Sequence, residues 1–78
     1  MIDDTEFVLK YNFYEKDIKQ YAKVKVITII NNSYLIEDIK TKKRIWVMRY
    51  DIYPLTNHDY YGSWVYDEKF QNEINEKL

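Results

Sequence analysis

The sequence predicts a mainly β domain of the α+β class, a small curled antiparallel meander followed by one C-terminal helix. Three features carry this reading. Residues 22–30 alternate with period two, placing Ala22, Val24, Val26 and Thr28 on one side and Lys23, Lys25, Ile27 and Ile29 on the other. Asn31-Asn32-Ser33 and residues 40–43 supply turn chemistry between apolar runs. Tyr66, Phe70, Ile74 and Leu78 recur at i, i+4 near the end of the chain. Period two places alternate side chains on opposite faces of a strand, whereas an i, i+4 stripe lines one face of a helix.

Taken in order, residues 6–14 alternate, with Phe7, Leu9, Tyr11 and Phe13 on one side, and predict a first strand with one mainly apolar face. Residues 15–20 are charged, and the spacing of Tyr14, Ile18 and Tyr21 allows one short turn of helix. Residues 22–30 form the clearest strand. Asparagine tolerates positive φ and bonds its own backbone, so residues 31–33 predict a hairpin turn. A strand over 34–39, a turn over 40–43 and a returning strand over 44–50 complete the meander. Apolar residues on both faces at Ile45, Trp46, Val47 and Met48 are expected where a sheet curls over a core. Val24, Val26, Ile36 and Val47 are the expected buried positions.

Pro54 cannot donate to a ladder, so residues 51–55 are expected to stop the sheet. Residues 57–62 read as loop, and residues 63–66 as a last strand or a helix entry. Asp67 suits a helix N-cap, with Lys69–Glu73 and Glu73–Lys77 at i, i+4 along the helix.

A curled meander ending in an acid, an aliphatic residue and a proline resembles the Tudor-like small β-barrel family. The residues carrying the likeness are 24–29, Tyr34-Leu35-Ile36-Glu37-Asp38, 44–48 and Asp51-Ile52-Tyr53-Pro54, roughly half the chain. The resemblance implies a barrel-like fold that binds peptides or nucleic acid and rarely catalyses. The glycines usual at such turns are absent here. Fold alone does not assign function.

Composition narrows the chemistry. Seventy-eight residues make a single small domain, 1–78, and nine Tyr, three Phe and two Trp supply large rings for its core. Without cysteine there is neither a disulfide nor a thiolate metal site. The first residues are acidic and no apolar run approaches the ~20 residues of a bilayer span, so a cytoplasmic location and no membrane partner are expected. Ten Lys against two Arg, with abundant Ile, Asn and Tyr, looks like translation of an AT-rich genome such as that of a low-GC bacterium or its phage. Charge is unevenly spread: residues 1–18 carry −3, residues 19–49 carry +6 and residues 50–78 carry −4. Either the ends neutralise the middle on folding, or the surface is bipolar and steers charged partners.

No constellation suggests catalysis. His58 is the only histidine and has no second ligand or nucleophile at useful spacing, so it reads as a solvated loop residue. Glu37 and Asp38 are neighbours on a strand and must diverge, and one Gly cannot build a phosphate-binding loop. Neither enzyme activity, a small-molecule substrate, a cofactor nor a metal is expected.

Two candidate sites remain. Lys40, Lys42, Lys43 and Arg44 cluster at a hairpin tip, with Trp46 and Tyr34 on the flanking strands, a combination of phosphate attraction and stacking suited to nucleic acid. The plain alternative is a wet tip whose lysines discourage edge pairing. Tyr53, Tyr60, Tyr61 and Trp64 form an aromatic stretch of the kind that anchors protein partners, although such rings also serve as core. The expectation is a non-enzymatic binding protein that engages a protein partner, with a nucleic-acid-binding regulator using the basic hairpin 40–44 as the alternative. If phage-encoded, it would inhibit a host or defence protein in the host-cell cytoplasm. Oligomeric state is open.

Overall fold

The computed structural model describes residues 6–55 and 67–78. They form a five-stranded antiparallel sheet and one helix: β1 (Phe7–Leu9), β2 (Lys23–Ile30), β3 (Ser33–Asp38), β4 (Arg44–Met48), β5 (Ile52–Pro54) and α1 (Glu68–Lys77). The spatial order is β4-β3-β2-β1-β5, so the last strand returns to lie beside the first. The sheet is not closed: no pairing joins β4 to β5 among the described residues.

The meander follows the predicted turn chemistry. Asn31 takes φ 56° at the β2–β3 turn, a left-handed geometry that asparagine tolerates. The β3–β4 turn is organised by Asp38, whose Oδ1 accepts the backbone N–H of Lys40 at 2.8 Å and of Thr41 at 3.1 Å. Lys42 takes φ 67° there, a position where glycine is usual. Pairing of β2 with β3 shifts between Val26 and Thr28, a bulge that places Ile27 out of step.

Around β1 both faces of the sheet are packed, which explains why Phe7, Val8 and Leu9 are all buried. On one face Phe7, Leu9, Val24, Val26, Ile36, Ile45, Val47 and Ile52 form the larger core, capped by Ile18. On the other, Val8 and Tyr53 are covered by Phe70 and Ile74 of α1. The four expected core positions Val24, Val26, Ile36 and Val47 are all buried. Asp67 caps α1, its Oδ1 accepting the Phe70 N–H at 3.0 Å, while Leu78 at the end of the stripe stays exposed.

Three expectations need correction. The first strand is three residues long, not nine: beyond Leu9 the chain bends, and Tyr14–Lys16 forms a 3₁₀ turn held by reciprocal bonds between Phe13 and Ile18. Residues 51–55 do not stop the sheet; Ile52–Pro54 is its fifth strand, fully buried. Pro54 fits because bonds between Leu55 N–H and Glu6 and between Lys10 N–H and Asp51 turn the backbone of 51, 53 and 55 toward β1. Pro54, opposite Phe7, occupies a non-hydrogen-bonded site where no N–H is required. Lastly, β4 is not buried on both sides. Ile45 and Val47 enter the core, whereas Trp46 and Met48 face outward, about half exposed at 51% and 50%.

Candidate functional site

The outer face of β2, β3 and β4 is built by register. Glu37 pairs with Arg44 on one side and Lys25 on the other, and Leu35 pairs with Trp46. Arg44 Nε donates to Glu37 Oε1 at 2.8 Å, and Lys25 Nζ lies 3.6 Å from Glu37 Oε2. The Arg44 hydrogen bond, supported by the nearby charges of Lys25, Arg44 and Lys42, holds the Glu37 carboxyl below the usual carboxylate range against the opposing effect of burial. Beyond this charged rung the same face turns apolar, with Leu35, Trp46 and Met48. α1 covers the β1–β5 part of this face and leaves the β3–β4 part open.

The basic tip is less available than its composition implies. Lys40 and Lys42 are exposed. Arg44 is engaged by Glu37, and Lys43 Nζ donates to the Lys16 carbonyl at 3.2 Å. Trp46 and Tyr34 do not share a face: Tyr34 pairs with Val47 and packs against the larger core, while Trp46 points outward. A two-ring stacking platform is therefore not assembled. Glu37 and Asp38 diverge as alternation requires, one to the ion cluster and the other to the turn.

Of the aromatic stretch, Tyr60, Tyr61 and Trp64 lie outside the described residues. Tyr53 is 2% exposed, its ring edge-on to Phe70 at 5.1 Å, so it is core under α1 and offers no surface to a partner. Its place in β5 opposite Val8 makes that inevitable.

Two concavities flank the outer edge of β4. One of about 490 Å³ is lined by Phe13, Glu15, Lys16, Leu35, Arg44, Ile45 and Trp46; another of about 210 Å³ lies beside Met48, Arg49 and Tyr50. No group of three or more His, Cys, Asp or Glu that could hold a metal ion occurs among the described residues. No described helix is long and apolar enough to cross a membrane. Compared with models of protein families, with curated proteins and with solved structures, the chain matches none.

The β4 edge was missed in the sequence, where the run Ile45-Trp46-Val47-Met48 is apolar throughout. The signal was there in the alternation of branched aliphatics with Trp and Met. Which pair faces water depends on what covers the sheet, and α1 stops short of β4.

Proposed function

We propose that this chain is a non-enzymatic binding protein that engages a protein partner stoichiometrically. The observation that carries the reading is the outer face of the sheet, half covered by α1 and half left with Trp46, Met48 and Leu35 around an open concavity. Large apolar side chains grouped at a surface are characteristic of interaction sites, and tryptophan is prominent among residues whose loss weakens a complex. The antiparallel order is compatible with a small barrel-like fold, and we read it as Tudor-like. A chain of phage origin with these features suits an inhibitor of a host or defence protein.

The test is capture from host lysate with and without nuclease. A discrete protein retained near one-to-one after nuclease is the expected result; no retained protein, or retention abolished by nuclease, overturns the reading. Nucleic acid is the second reading, favoured by exposed Lys40 and Lys42 at the tip. On that reading, changing Lys42, Lys43 and Arg44 to Gln weakens binding to every sequence and flattens its salt dependence.

A further inference from the structure

The two outermost strands of the described sheet, β4 and β5, differ in what they offer another chain. Along β5, the outward backbone groups belong to Ile52 and Pro54. The Ile52 N–H is taken by the Arg49 carbonyl, and Pro54 has no N–H. That edge presents no donor. Along β4, the bond from Ile39 N–H to the Lys23 carbonyl (3.1 Å) turns Glu37 and Ile39 toward β2, and hence Ile36 and Asp38 toward β4. The bond from Asp38 N–H to the Lys43 carbonyl (2.8 Å) agrees. Lys43, Ile45 and Val47 therefore face β3, and Arg44, Trp46 and Met48 direct their backbone groups outward. The Met48 N–H is satisfied by Asp51 Oδ2 at 2.9 Å. Arg44 and Trp46 remain, and no backbone bond to another described residue takes their outward groups. Two such residues at i, i+2 are the repeat that an added strand uses.

Around this edge the charge is positive. Lys16, Lys42, Lys43 and Arg44 stand near it against Glu15 and Glu37, the latter paired with Arg44, so the positive excess comes from the lysines. A second copy of the chain is disfavoured. Antiparallel pairing of β4 with itself about Trp46 would set Lys43 opposite the other copy's Arg49, bringing two cationic edges together. An acidic strand is complementary.

We propose that the outward edge of β4 receives an extended acidic segment of the protein partner as an additional strand. Trp46 and Leu35 seat its apolar side chains, and Lys16, Lys42 and Lys43 meet its carboxylates. This deepens the binding-protein reading and rests on it.

The experiment titrates the ¹⁵N-labelled full chain with a blocked synthetic peptide alternating Glu with Val and Tyr. Parallel arms use the same peptide with Lys for Glu, the same peptide N-methylated at alternate residues, and oligothymidylate. The expected result is amide shifts centred on Arg44 and Trp46, slowed hydrogen exchange at those two amides, and at least about tenfold weaker binding of the Lys and N-methyl peptides. Trp46→Pro deletes the outward N–H without touching the β3 ladder and should abolish binding, while Trp46→Thr, which keeps the N–H, weakens it less. Circular dichroism checks that both variants fold; should Trp46→Pro unfold, the N-methyl arm decides alone. Shifts on another surface, none at Arg44 and Trp46 with millimolar peptide, equal binding of the Lys peptide, preferential binding of oligothymidylate, or self-association through β4 in sedimentation would each overturn the proposal. Capture of one lysate protein equally by wild type and folded Trp46→Pro would overturn it too, leaving the binding-protein reading intact. No capture by wild type would sink the reading itself.

Discussion

Tyr21 shows how much one residue can join. It sits at φ 69°, where a side chain with a Cβ costs about 1–2 kcal/mol, so its contacts must offset that strain. Its ring stacks on Phe70 at 5.7 Å with planes 13° apart, and its hydroxyl donates to Glu73 Oε1 at 2.7 Å. Donation to that carboxylate, then burial, then the negative charge of Glu73 and Glu76 hold the phenol above its ordinary pKa. The folded state thus binds this proton more tightly than the unfolded chain. The contribution is fully present below the ordinary tyrosine value and is lost as pH rises through the raised one. Tyr21→Phe should keep the stack, lower the melting temperature by a few degrees at neutral pH, and remove this share of the alkaline decline. Identical alkaline slopes for both proteins would show that the bond does not form in solution. The spacing of Tyr14, Ile18 and Tyr21 allowed one short turn of helix, and Tyr14–Lys16 forms a 3₁₀ turn, but the three do not share a face: Tyr14 is 85% exposed and Ile18 belongs to the opposite core. Positive φ at a tyrosine comes from tertiary contact, which local pattern does not encode. Asn31 was legible because its side chain favours that geometry by itself.

Among the elements, the local ones were legible and the returning one was not. β2, β3 and β4 are joined by short turns, so alternation and turn residues in one stretch of chain determine them. β5 carries a proline and has only three residues, and its assignment depends on β1, far away in sequence. α1 was visible from its stripe and its cap. Asp67 accepts the Phe70 N–H and also lies 3.8 Å from Lys10 Nζ, a partly exposed pair that contributes little. Asp67→Ala should therefore cost about 1 kcal/mol, almost all of it from the cap. Lys10 Nζ also lies 5.3 Å from the Phe70 ring centroid. Urea unfolding of Asp67→Ala, Lys10→Ala and the double variant therefore measures the split; a coupling comparable to the Asp67→Ala loss would assign the effect to the ion pair instead. The exposed pair on β4 was illegible for a related reason. Trp46 and Met48 are as apolar as Ile45 and Val47, and only the short reach of α1 across the sheet leaves the first pair in water.

At the scale of the molecule, β1 is the strand on which both cores depend, since it pairs with β2 on one side and β5 on the other. The two pairings have unequal consequences in time. The hairpins of the meander close short loops, whereas β1 meets β5 only by joining Phe7 to Pro54 across most of the chain, an entropic cost that falls late. Refolding should therefore be slowed by Ile36→Val, while Ile52→Val should mainly accelerate unfolding, as stopped-flow rates would reveal. The opposite partition would place the nucleus at the β1–β5 pair. During the interval before β1 docks, the flank of β2 that it will cover stands open with Val24 and Val26 on one face. Lys23 and Lys25, exposed on the same strand, then act as gatekeepers in the nascent chain, keeping that transient flank from recruiting a neighbouring polypeptide into an aggregate.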